Sequence, residues 1–211
     1  MKLYWGPRTC AIGIHILLEE VKQPYGLEKL DVAGGDTEKP AFLAINPKGK
    51  VPILVRDDGS VITEFGAIAG WLAMTYPAAN LLPTDPENHM RVREAMDYAV
   101  ATIHGQGFAR IFMPAKFEPQ DMVHKMGLGA GSVKDQGREI VKNGFAILSV
   151  QLGSKRFVDG DDFSIADAAL FYLERWAPQT EIQLPSNLLE HFVRVRDRPS
   201  TRKVMEIWGE E

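Results

Sequence analysis

The apolar pattern of this chain changes character once, at residues 77–86 (PAANLLPTDP), a stretch with three prolines and no clear period. That is linker chemistry. Before it, short alternating runs are interleaved with helical stripes. After it, every apolar stripe has helical spacing. Lys2–Trp5 reads as a short strand stopped by Gly6-Pro7. Ile14, Leu17, Leu18 and Val21 recur at i, i+3, i+4, i+7, one face of a helix that Pro24 and Gly26 end. Leu27–Val32 alternates as a second strand. A helical turn through Phe42 and Leu43 and a turn at Asn46-Pro47-Lys48-Gly49 follow. Val51–Arg56 and Ser60–Thr63 flank Asp57-Asp58-Gly59 as a hairpin. Ile68, Trp71, Leu72 and Tyr76 mark another helix.

The order is β-α-β-α-β-β-α. Strands joined by a helix must run parallel with a right-handed crossover, and the hairpin is antiparallel. Residues 1–80 are therefore expected to form an α/β domain, 81–86 a linker and 87–211 an all-helical domain. In the second part Val92, Met96, Ala99, Val100 and Ile103 make one stripe, and Val141, Phe145, Leu148 and Leu152 another. Ser164–Trp176 is apolar nearly all round, as a buried central helix should be. Leu188, Leu189, Phe192 and Val193, then Val204, Ile207 and Trp208, mark the last two helices. Gly127–Gly131 reads as a loop between helices.

Composition excludes several function classes. The formal net charge is −4, from 24 basic and 28 acidic residues. A nucleic-acid surface needs clustered excess Lys and Arg, so that partner is not expected. A single cysteine rules out an intrachain disulfide framework and a Cys-rich zinc site, and suits a reducing compartment. No run approaches the roughly 18 apolar residues that span a bilayer. The start, MKLYWGPRTC, turns to Gly-Pro after five residues, unlike the apolar part of a signal peptide. The expectation is a cytoplasmic chain with no membrane partner.

Four places could carry chemistry. Cys10 stands at or just before a helix start, where N–H groups and the dipole would lower a thiol pKa. A buried, inert cysteine is the alternative. Val51-Pro52 opens a strand; if that bond is cis, the Val51 N–H and C=O are free to pair with an extended peptide. Glu64 lies at a strand-to-helix junction. Its carboxylate could hold an ammonium group, and the N–H groups of Phe65 and Gly66 a carboxylate; it could equally be a residue favoured in a first helical turn. Ser164-Ile165-Ala166-Asp167 is a capping box with Asp in place of Glu, read as structural. His104 sits before Gly105 on the first long helix, and His15 reads as a satisfied, partly buried side chain. No two histidines have metal-ligand spacing. No Gly-Lys-Ser/Thr phosphate loop is present, and glycines 127, 129 and 131 lack the strand a dinucleotide fingerprint needs.

Taken in order, Cys10, Asn46-Pro47-Lys48-Gly49-Lys50-Val51-Pro52, Thr63-Glu64 and Phe163-Ser164-Ile165-Ala166-Asp167 resemble the cytosolic glutathione S-transferases along essentially the whole chain. MKLYWGPRTCAIGIHILLEE is most similar to the bacterial beta class. The resemblance implies a thioredoxin-like domain followed by a helical one, usually as a homodimer. It implies glutathione as co-substrate and a small hydrophobic electrophile held by the helical part, near Ile103, Phe108, Phe112 and Trp176. By resemblance Pro52 is the cis proline, Val51 pairs with the cysteinyl part of glutathione, and Glu64 and Phe65 hold the γ-glutamyl end. Cys10 faces the glutathione sulfur and His104 stands near it. Asp97 matches a position from which a partner subunit reaches the γ-glutamyl ammonium. The beta class commonly has Tyr at position 5, Ser at 11, and Ser or Gly after the glutamate; here these are Trp5, Ala11 and Phe65. Its lysine in the loop after the second strand is replaced by Ala33-Gly34-Gly35, with Lys39 nearby. Two other readings share this frame: a Cys10-dependent glutathione thiol-disulfide oxidoreductase, and a non-catalytic binding or interaction protein.

Overall fold

A computed structural model describes residues 1–118 and 132–209. The expected loop at 127–131 lies outside them. A four-stranded sheet has the order β2-β1-β3-β4. β1 (Lys2–Trp5) runs parallel to β2 (Gly26–Lys29) and antiparallel to β3 (Ile53–Val55); β3 and β4 (Val61–Thr63) form the hairpin. Along β1, Leu3 and Trp5 are buried and Tyr4 points to the other face, against Phe42, as the two-residue period requires.

Two strands are shorter than their alternation suggests. β2 ends at Lys29, not Val32, because Asp31 folds the chain back. Its carboxylate accepts from the Gly34 N–H at 2.8 Å and its carbonyl from Asp36 at 3.0 Å. β3 begins at Ile53, not Val51, because Val51-Pro52 is a cis peptide and Pro52 has no N–H for a ladder.

Helix α1 (Ala11–Val21) makes the crossover, α2 (Pro40–Leu43) is one turn, and α3 (Phe65–Thr75) follows the hairpin. α4 (Pro86–Asp97) is capped by Asp85, which accepts from the N–H groups of Glu87 and Asn88 at 3.1 and 3.2 Å. Pro86, expected in the linker, is the first residue of this helix, where its missing N–H costs nothing. Tyr98–Phe108 then widens into a π-helical stretch, its exit marked by the Ala109 N–H donating to the His104 carbonyl five residues back. Such stretches are rare and concentrate at functional sites. α5 (Ala109–Phe112), α6 (Val133–Leu152), α7 (Ile165–Trp176), α8 (Ser186–Arg196) and α9 (Pro199–Trp208) complete the described chain.

All twelve residues of α7 are buried, as its all-round apolar sequence demands. It packs on α1, α3, α4 and α8. Gly13 permits the contact with α1: a Cβ there would lie 2.6 Å from the Ala168 carbonyl and 2.8 Å from the Phe65 ring. α9 folds back onto the sheet domain. Trp208 stacks on Trp5 with ring centroids 4.3 Å apart, and its indole N–H donates to His15 Nδ1 at 2.9 Å. His15, expected to be partly buried, is fully buried and satisfied, with Nε2 on the Tyr25 hydroxyl at 2.8 Å. On α8 the buried face is Leu188, His191 and Val195, while Leu189 and Val193 are exposed. Among the described residues no helix is long and apolar enough to cross a membrane.

Candidate active site

The chain between β1 and α1 is held from above by the end of α7. Arg8 has a φ of 61°, which a non-glycine residue adopts only when its surroundings fix it. The Trp176 indole N–H donates to the Arg8 carbonyl at 3.1 Å, and Arg175 reaches the Thr9 carbonyl at 3.4 Å. Cys10 follows as the residue capping α1, its Sγ 4.0 Å from the Val51 carbonyl. It is only 8% exposed. Burial pushes the thiol up to about 12, against the opposing pull of its backbone hydrogen bond, Arg175 and Lys50. Of the two readings open from the sequence, a lowered thiol and a buried, inert one, these values favour the second. The helix start is present, but desolvation outweighs it, and Cys10 is a protonated thiol at neutral pH.

Opposite Cys10 the cis Val51-Pro52 bond is presented by a turn that Asn46 braces from within. Its buried amide donates to the Lys50 carbonyl at 2.8 Å and accepts from the Lys48 N–H at 3.2 Å. Among the described residues nothing pairs with the Val51 N–H, and its carbonyl meets only the Cys10 thiol. Glu64 caps α3 with φ 73° and ψ 133°. Its carboxylate is exposed and accepts from Lys48 Nζ at 2.7 Å; the same ammonium donates to Thr63 Oγ1 at 2.9 Å. The Phe65 ring turns inward, 3% exposed, against Tyr172. It offers the site its N–H alone, in the first helical turn where the helix supplies no acceptor. The exposed Asp97, at the end of α4, lies beside the same turn: its Oδ1 is 3.7 Å from where a Gly66 Cβ would stand. It therefore approaches the α3 start within its own chain.

The far wall is aromatic. His104 is half-buried on the π-helical stretch, its ring edge-on to Trp176 at 4.9 Å and Tyr172 at 5.5 Å. Nδ1 lies 3.2 Å from the Tyr172 hydroxyl. Burial, with Lys50 adding to it, lowers His104 to about 4, so the imidazole is neutral. Phe108 and Phe112 stack at 5.6 Å and both meet Trp176 edge-on. Ile103, expected here, faces away: it fills the space over Gly144 of α6, where a Cβ would come within 2.5 Å of it. Lys39 is also elsewhere, exposed and paired with Asp36 at 2.6 Å.

Tyr172, Arg175 and the Lys48 tether of Glu64 are absent from the sequence-based expectations. A tyrosine inside an apolar helix carries no signal that distinguishes it from core. Below the site, Ser164 and Asp167 form the expected cap, the Ser164 N–H and hydroxyl both donating to Asp167 Oδ2 at 2.7 and 2.6 Å. His191, also unanticipated, touches Asp167 and Glu174 in the core beneath. Among the described residues no cluster of His, Cys, Asp and Glu could hold a metal ion.

Comparison with known proteins matches both parts of the chain. Residues 8–75 match the family model of the glutathione S-transferase N-terminal domain, and residues 131–197 that of the C-terminal domain. The chain is 29% identical to glutathione S-transferase GstA of Escherichia coli O157:H7, over 99% of both chains. Its structure matches a glutathione transferase homologue from Sulfitobacter solved with bound glutathione (TM-score 0.84, 29% identity, 98% and 97% of the two chains). It also matches a bacterial beta class glutathione S-transferase from Sphingomonas chungbukensis (TM-score 0.81, 29% identity, 99% of each). Two family models in the right order and end-to-end similarity to these proteins leave one reading: the chain belongs to the cytosolic glutathione S-transferase family.

Proposed function

We propose that this protein is a glutathione transferase that takes glutathione as co-substrate and joins its sulfur to a small hydrophobic electrophile. The observation that carries the reading is the Val51 backbone beside the cis proline, its N–H without a partner among the described residues and its carbonyl met by the Cys10 thiol, with the tethered Glu64 carboxylate and the start of α3 at one end. A short extended thiol peptide fits this set: backbone to Val51, ammonium to Glu64, α-carboxylate to the N–H groups of Phe65 and Gly66. The Sulfitobacter homologue, similar over nearly its whole length, holds glutathione. Asp97 adds a second carboxylate at the ammonium end. A homodimer in the cytoplasm is the assembly the family favours.

In the reaction the glutathione thiol loses its proton to solvent. The thiolate attacks an electrophilic carbon, the S–C bond forms, and the leaving group departs with its electron pair. Cys10, a protonated thiol whose S–H meets the Val51 carbonyl, does not attack. Lys50, whose charge reaches both Cys10 and His104, favours the developing anion. Phe108, Phe112 and Trp176 provide an apolar wall for the electrophile. The high Cys10 pKa weighs against the thiol-disulfide reading, because exchange needs a thiolate.

Titration calorimetry with glutathione, and turnover of a chlorodinitrobenzene, test this. Saturable binding at or below millimolar concentration with conjugate formation is expected. No binding and no turnover overturns the assignment; binding alone reduces the protein to a glutathione-binding module.

A further inference from the structure

The chain carries neither the Tyr at position 5 nor the Ser at 11 that its resemblance leads one to seek, yet a phenol does lie buried behind His104 in the cleft wall. Tyr172 comes from the buried helix α7, its side chain fully enclosed. The ring packs on Phe65 at 5.2 Å and Trp176 at 5.0 Å, which fixes where its hydroxyl points. A buried hydroxyl needs an acceptor for its proton. Among the described residues the one polar atom within hydrogen-bond distance is His104 Nδ1, at 3.2 Å. Burial also holds the phenol well above its ordinary range, so that proton is always present.

A neutral imidazole has one donor and one acceptor nitrogen. With the Tyr172 O–H donating to Nδ1, the His104 proton must sit on Nε2, for which the described residues offer no partner. In the opposite tautomer Nδ1–H would donate to the phenol oxygen, and the hydroxyl proton would have no acceptor among the described residues.

We propose that Tyr172 is a positioning residue for His104: its hydroxyl holds the imidazole in the neutral Nε2–H form, so that His104 meets the glutathione sulfur as a hydrogen-bond donor and not as its base. The inference deepens the proposed transferase reading and rests on it for its catalytic meaning. With Nδ1 engaged and Nε2 already protonated, His104 has no free lone pair for the thiol proton, which goes to water. What His104 supplies is stabilisation of the thiolate by a fixed neutral donor.

The tautomer can be read without glutathione. Nitrogen NMR of protein labelled with 15N-histidine, the His104 signals assigned by their loss in His104→Gln, should show a single Nε2–H form at neutral pH. Tyr172→Phe, which keeps the ring, should give a mixture of tautomers. A His104 that is Nδ1–H in the unaltered protein overturns the proposal, whether or not Tyr172→Phe folds; so does a spectrum that Tyr172→Phe leaves unchanged. In turnover, His104→Gln, whose amide N–H replaces Nε2–H, should keep at least about tenfold more kcat than His104→Asn, with similar KM for glutathione. Equal loss in both overturns the donor role. Failure of the transferase reading shows differently, as no turnover in the unaltered protein with the NMR result intact.

Discussion

The Trp176 indole N–H donates to the Arg8 carbonyl across 3.1 Å, tying the last turn of the central helix to a backbone position held at a φ of 61°. The strained loop before Cys10 is thus fixed by a residue from the other end of the chain. Trp176→Phe keeps an aromatic ring among His104, Phe108 and Phe112 and deletes the bond. It should lower stability by at least about 1 kcal/mol, measured by urea denaturation, since the Arg8 carbonyl loses its donor and the smaller ring leaves part of the buried indole space unfilled. It should also speed alkylation of Cys10, because the loop above the thiol is no longer held. Unchanged Cys10 reactivity would show that the loop needs no such tether.

In the unaltered protein, Cys10 should be close to inert. A thiol at about 12 is ionised roughly three orders of magnitude less at neutral pH than an ordinary cysteine near 8.5. Iodoacetamide at pH 7.5 should label it on unfolding and scarcely before. Incubation with oxidised glutathione should leave the mass of the native protein unchanged. A rapid glutathionyl adduct would reverse the assignment and make the protein an oxidoreductase.

Glu64 separates ligand chemistry from backbone strain. Its φ of 73° and ψ of 133° lie where a Cβ is unwelcome, at a cost of order 1 kcal/mol or more. Among the described residues its exposed carboxylate is bound only to Lys48. Glu64→Ala keeps the Cβ and Glu64→Gly removes it. Glycine should therefore be the more stable variant by about 1 kcal/mol in denaturant titrations, while both lose glutathione affinity. If alanine equals glycine in stability, the backbone is relaxed.

The pattern of apolar residues carried most of the architecture because burial is what it records. The β1-α1-β2 crossover, the hairpin and the enclosed α7 are all one-face or all-round apolar runs. Cys10, Val51-Pro52 and Glu64 were legible because each punctuates an element boundary. What stayed hidden has common physical causes. Ala99 and Ile103 are spaced four apart, which an α-helix and a wider π turn accommodate alike, so the π-helical stretch left no mark. The phenol of Tyr172 and the imidazole of His191 occupy positions where an aromatic ring fits the core, and only three-dimensional neighbours reveal their polar atoms. The thiol pKa of Cys10 depends on solvent exclusion by α7, which lies more than 150 residues away along the chain.

His191 dictates how stability should vary with pH. Asp167 and Glu174 are seven residues apart on α7, two turns along one face. His191 of α8 bridges them, Nε2 3.0 Å from Asp167 Oδ1 and Nδ1 2.9 Å from Glu174 Oε1, all three side chains buried. Burial pulls its pKa down, but Glu174 and Asp167 prevail and raise it to about 10. A folded-state pKa above the unfolded value near 6.5 gives stability that is complete below pH 6.5 and is lost as pH rises toward 10. His15 and His104 act in the opposite sense. Burial holds both near 4, so the unfolded chain takes up protons that the folded one refuses, and stability falls from pH 6.5 toward 4. The melting temperature should therefore peak near pH 6.5. His191→Phe leaves two carboxylates buried without their cation and should cost about 3–5 kcal/mol at pH 7. Adding Glu174→Leu should recover most of that, since Asp167 keeps its bonds from Ser164 and from the Val158 N–H at 2.8 Å. The double variant should also lose less stability than the unaltered protein between pH 7 and 10; equal alkaline slopes would mean that His191 is not the group titrating.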